Sequence, residues 1–166
     1  MKKIISGLIA VIIIFLSACG VRDTTTAAAI VKGLTDAEIG LPAGKIYSTA
    51  ADEMDEEYIS DSLLSTLFGS ASMPTVSSDW IECAMFLPLS NHPCEFIVIH
   101  CASGDAAEDT ASLLSLRLIS IKKAKGGEGA NDLLDSSCVT VYKNYACLII
   151  SSDPIAAEKL IRSMIT

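Results

Sequence analysis

The chain is poor in the residues that most enzymes work with. Its 166 residues include two histidines, one tryptophan and only 5% aromatics. A nucleophilic site needs a base and an orienting group held in geometry, and two imidazoles leave few such constellations open. His100 adjoins Cys101, but neighbouring residues of a strand point to opposite faces, so the two cannot form a dyad. We read His100 and His92 as structural. Basic residues are also scarce: 12 Lys and Arg against 20 Asp and Glu give a net charge of −8. An acidic surface repels phosphate backbones, which argues against a nucleic-acid partner and against anionic lipid bound through the folded surface. No CxxC occurs, and the cysteine spacings fit no zinc ribbon or finger. The GGEG at 126–129 follows a helical stretch and lacks the Lys-Ser/Thr of a phosphate loop. The acid cluster DEMDEE at 52–57 lacks the central glycine and final glutamate of an EF-hand loop, and reads as the approach to a helix N-terminus. No catalytic residue, metal ligand or cofactor is nominated, and twenty acids without geometry single out no glycosidase pair.

What is present begins at the N-terminus. Lys2 and Lys3 form a short positive stretch, and an apolar run over 4–16 follows, broken only by Ser6 and Gly7. That run is shorter than the roughly 20 residues needed to cross a bilayer as a helix. A basic start, a short apolar centre and small residues at its end are the marks of a secretory signal. Leu16-Ser17-Ala18-Cys19 resembles a bacterial lipobox. That likeness implies cleavage between Ala18 and Cys19 and a diacylglyceryl group on the Cys19 thiol. Two acyl chains suffice for stable anchoring where one does not. The expected organisation is a signal peptide over 1–18, a lipid-anchored tether over 19–26 and one extracytoplasmic domain over 27–166. Gly20 rather than aspartate follows the cysteine.

Five cysteines follow Cys19: Cys83, Cys94, Cys101, Cys138 and Cys147. An odd number leaves at least one thiol free or paired between molecules. Apolar neighbours around Cys83, Cys101 and Cys147 favour small core residues over disulfides, and either over a metal site.

Helical spacing of Ala27, Ile30, Val31 and Leu34 predicts a helix over 26–38. A second is expected through YISDSLLSTLF, stopped by Gly69. The eight-residue apolar runs WIECAMFL (80–87) and CEFIVIHC (94–101) read as strands joined by the loop PLSNHP over 88–93. Trp80 reads as core rather than a binding edge. The longest helix is predicted over 105–125, capped by Asp105 with Glu108, with acids in its first turn and lysines in its last. CVTVYKNYACLIIS (138–151) reads as a hairpin turning at Lys143-Asn144. Asn144 supplies the left-handed residue, and Tyr142 faces Tyr145. Asp153 and Pro154 open the final helix. The predicted fold is α+β and two-layered. Two hairpins in ββαββα order make an antiparallel sheet covered on one face by helices, preceded by two N-terminal helices.

Taken together, the lipobox, Leu41-Pro42, the acids before a Leu-rich helix ending in Gly69, and Asn144-Tyr145 at the hairpin turn resemble a known group. It is the family of small Gram-positive lipoproteins described as domain of unknown function 4358. The likeness implies a lipid-anchored protein on the outer face of the cell membrane and brings no activity or catalytic residue. Members typically carry glycine at the first turn position, where this chain has Lys143. The functional expectation is a non-enzymatic module that binds an envelope protein, with loop 88–93 as a contact surface. The alternative is a solute-binding accessory lipoprotein with a pocket between sheet and helices.

Overall fold

The computed structural model describes residues 25–37, 39, 41–69, 77–125 and 131–165. Ala18, Cys19, the rest of the expected signal peptide and the GGEG stretch lie outside them. In chain order the elements are α1 (Ala27–Asp36), β1 (Gly44–Ser48), α2 (Asp61–Phe68), a 3-10 turn (Ser77–Asp79), β2 (Trp80–Pro88), β3 (Glu95–Cys101), α3 (Gly104–Lys125), α4 (Asn131–Asp135), β4 (Cys138–Tyr142), β5 (Tyr145–Ile150) and α5 (Pro154–Met164). The strands form one antiparallel sheet in the order β1-β2-β3-β5-β4. The α+β class and both hairpins are as expected.

The helices, however, divide between the two faces, so the sheet is the middle of three layers rather than one side of two. On one face Met85, Ile97, Ile99 and Leu148 pack under α3, with Leu64 of α2 and Leu134 of α4 at the flanks. On the other, Phe86, Phe96, Val98 and Ile149 pack under α1 and α5 through Ile30, Leu34 and Ile161. The reason lies in β2, β3 and β5. Their apolar residues do not alternate, and all six positions of β5 are buried. Strands apolar on both faces need cover on both. Each fully buried aliphatic side chain contributes about 1.5–3 kcal/mol relative to exposure, so leaving either face bare is not a stable alternative.

Local signals fix the ends. Ser60 and Asp153 cap α2 and α5 by accepting from the Leu63 and Ala156 backbone N–H groups, and Gly69 ends α2 at φ 83°. Two caps differ from expectation. The α3 cap is Ser103, whose hydroxyl accepts from Ala106 N–H at 3.1 Å, two residues ahead of Asp105. The acids at 52–57 do not open α2. They form turns beside β1, where Ser48 N–H donates to the Glu57 carbonyl at 2.9 Å and Lys45 pairs with Glu56 at 2.9 Å. Strand β1 and helix α4 were not foreseen.

In the β4–β5 hairpin Tyr142 faces Tyr145 and Thr140 faces Cys147, as predicted. The left-handed residue is Lys143, at φ 51°, rather than Asn144. Asn144 uses its side chain elsewhere: its Nδ2 donates to the Cys101 carbonyl at 3.0 Å and to His100 Nε2 at 2.8 Å.

Candidate functional site

Among the described residues, three clusters of polar side chains are positioned by the sheet and a helix together. The first lies at the end of the sheet where β2 and β5 start and β3 ends. Glu82 sits on β2 in this otherwise apolar layer, 8% exposed. Its two carboxylate oxygens accept from the Ala27 and Ala28 backbone N–H groups, each at 2.9 Å. These are amides of the first turn of α1, which have no partner within the helix. The partial positive charge of the helix N-terminus favours a carboxylate there. Tyr145 O–H donates to the Thr25 carbonyl at 2.6 Å, and the Thr25 hydroxyl donates to the Met164 carbonyl at 2.7 Å. The first described residue is thus tied to β5 and α5, and the helix behind it to β2. His100 belongs to this end. Its ring stacks on Tyr145 with centroids 4.4 Å apart. That places it among packed groups, remote from Cys94, which precedes the other end of β3.

The second lies on the opposite face and toward the opposite end. Glu95 of β3, 5% exposed, receives two hydrogen bonds from Arg117 of α3. Nε donates at 3.1 Å and Nη2 at 2.9 Å, the two-pronged geometry that makes Arg–carboxylate pairs strong. A further Arg117 nitrogen reaches the Leu67 carbonyl at 3.5 Å, so the pair joins α2, α3 and β3.

The third is the outer corner between β4 and α5. Tyr142 O–H donates to Glu158 at 2.5 Å, Arg162 pairs with Glu158 at 3.3 Å, and the guanidinium lies 4.8 Å from the centre of the Tyr142 ring. Burial and the Glu158 carboxylate both push the Tyr142 phenol up, so it stays protonated. Two hollows open here. One, of about 370 Å³, is lined by Val141, Tyr142, Lys143, Arg162 and Ile165. The other, of about 320 Å³, is lined by Ile155, Glu158, Lys159 and Arg162. The first lies where the edge strand β4 meets α5, between sheet and helix as the solute-binding alternative requires, whereas the second is lined by α5 alone.

The five described cysteines are free thiols, four of them buried and Cys138 partly so. Burial pushes the Cys83 and Cys147 thiols far up and Cys94 up to about 12, a state that disfavours the reactive thiolate. Cys101 touches the Thr110 hydroxyl at 3.5 Å, and the same hydroxyl accepts from Trp80 Nε1 at 2.9 Å. Trp80 also meets Phe68 edge-on at 6.0 Å, which places it against the core. Among the described residues no three His, Cys, Asp or Glu side chains gather as metal ligands. Loop 88–93 lies at the end of the sheet away from Thr25, with Leu89 exposed.

The sequence reading passed over Glu82, Glu95 and the β4–α5 corner. A single acid inside each apolar strand run was the available signal for the first two, since buried acids are seldom left unpaired. No family model, curated protein or solved structure matches the chain. Among the described residues no helix is long and apolar enough to cross a membrane.

Proposed function

We propose that the chain is a lipid-anchored lipoprotein of the outer face of the cell membrane of a Gram-positive bacterium, serving as a non-enzymatic envelope module that binds a protein partner. The observation that carries this reading is the N-terminal stretch ending in Leu16-Ser17-Ala18-Cys19. The fold adds support in its arrangement. Thr25 is held at one end of the sheet, and six residues from Cys19 span at most about 20 Å. A domain tethered so closely turns its Glu82 end toward the bilayer and its 88–93 loop away from it. The loop is then the surface most open to a partner, and exposed Leu89 gives it an apolar contact. The kinship with the small Gram-positive lipoproteins belongs to the same proposal.

Metabolic labelling with an alkynyl fatty acid tests the anchor. Label on the wild-type chain and in the membrane fraction, both lost in Cys19→Ser, is the expected result. A wild-type chain that takes no label sinks the reading. Cross-linked capture from membranes then tests the partner, with Leu89→Asp as the contact variant. A partner retained in full by that variant removes loop 88–93 from the proposal.

A further inference from the structure

Two surface patches toward opposite edges of the sheet share one feature, a bare apolar side chain at the centre; the first is ringed by acids, and the second offers Lys159 beside the Arg162–Glu158 pair. Met54 and Ile155 are the two most exposed large apolar side chains among the described residues, at 92% and 77%. Met54 tips the turn beside β1, where Asp55 N–H donates to the Asp52 carbonyl at 2.9 Å and Asp52 Oδ1 accepts from Met54 N–H at 3.0 Å. Glu53 and Asp55 flank it, exposed and without a cation among the described residues, whereas Glu56 and Glu57 are taken by Lys45. Ile155 lies on α5, at the other edge, in the hollow of about 320 Å³ that it forms with Glu158, Lys159 and Arg162. Lys159 is exposed and has no acid partner among the described residues. Glu158 in the same hollow is already engaged by Tyr142 and Arg162. Arg162 retains donors beyond that pair, since a guanidinium carries five.

We propose that these patches are the two halves of one contact between copies of the chain. The 52–55 turn of one copy sets Met54 against Ile155 of a second, and Glu53 and Asp55 reach Lys159 and Arg162. Complementary charge chooses the occupant. The chain carries a net −8, so a second copy is repelled in general and favoured where its acidic turn meets Lys159 and the free donors of Arg162. The contact is heterologous, with one patch toward each edge of the sheet, and such contacts build rings or open rows rather than two-fold dimers. Opposite edges also allow neighbouring copies to stand in the same orientation. The proposal rests on the two patches alone and holds whether or not Cys19 carries lipid.

The test is a photo-cross-linker. A diazirine amino acid replaces Met54 in the full chain, expressed from its own start, and adducts are mapped by mass spectrometry. The expected adducts join position 54 to residues 155–162 of a second copy. Lys159→Glu in the receiving copy lowers their yield about tenfold, the scale of turning exposed attractions into repulsions. Placing Glu53→Lys and Asp55→Lys beside the probe does the same. Mixing that probe copy with the Lys159→Glu copy restores the yield, which misfolding of either variant would not. Adducts to another protein or elsewhere on the chain overturn the proposal. So does an absence of adducts, or a yield indifferent to the charge reversals.

Discussion

Glu82 and Glu95 are each a buried acid within an apolar strand, and the protein neutralises them by different means. Glu95, on the α3 face, meets a full opposing charge on Arg117. Glu82, on the α1 face and at the other end of the sheet, meets among the described residues no cation but two backbone amides at the start of α1. A guanidinium brings its own desolvation cost, so the first arrangement is strong but unforgiving if one partner is removed. Amides at a helix N-terminus would need partners in any case, so the second solves two problems at once and makes α1 dependent on β2. A buried charge can therefore serve either to lock three elements together or to fix where a helix begins.

The largest effect is expected at the ion pair. Arg117→Met leaves Glu95 buried and alone, and should cost about 3–5 kcal/mol in urea unfolding. Adding Glu95→Leu should recover most of it, because an apolar pair fills the same space. A cost under about 1 kcal/mol for the single variant would break the contrast between the two glutamates. Glu82→Gln should cost less, about 1–3 kcal/mol, since one amide oxygen replaces two carboxylate acceptors. Its effect should concentrate in α1, seen as faster hydrogen exchange of the Ala27 and Ala28 amides. Exchange that quickens evenly across the sheet would show that Glu82 does not act through α1.

The thiols offer a comparison of the same faces by pH. Cys83 lies on the α3 face and Cys94 and Cys147 on the other, all with raised values from burial. For Cys94 the folded value is about 12 against an ordinary 9. Between those pH values the unfolded chain has released a proton that the folded chain keeps, so stability falls as pH rises from 9 toward 12 and is unaffected below. Each such thiol contributes up to about 1.4 kcal/mol per pH unit. Cys94→Ala should flatten the decline by one thiol's share, and an unchanged slope would show that its titration is not linked to folding. The smallest effect is a gain. Lys143 holds φ 51°, a conformation that costs an L-residue about 1–2 kcal/mol. Lys143→Gly should raise stability by about 1 kcal/mol, read as a higher melting temperature. It leaves the Asn144 contacts to His100 and Cys101 at the Glu82 end in place, so no gain would mean that the lysine side chain contributes there.

The strands, the long helix and the hairpin register were legible because each rests on a local pattern: apolar runs of strand length, a 3.6-residue stripe, a two-residue turn. The third layer was not read, although its signal was present. WIECAMFL and CEFIVIHC are apolar at both parities, which demands cover on both sides. β1 escaped because GKIYS is five residues with a lysine near its start, and its strand character comes from pairing with β2. Glu82 and Arg117 escaped for a deeper reason. Their partners are 55 and 22 residues away, and one of those partners is backbone, which carries no sequence mark at all. Asn144 was assigned its usual turn role, and lost it to tertiary hydrogen bonds that only the folded chain supplies.

The ties around Thr25 have a mechanical consequence. A pull on the chain ahead of Thr25 does not meet a free helix end that can be peeled away turn by turn. It meets the Tyr145 hydroxyl, the Met164 carbonyl and, two and three residues further in, the two oxygens of Glu82. The load is shared by two strands and the last helix before α1 can unwind, so the point where force arrives is itself stitched to the core.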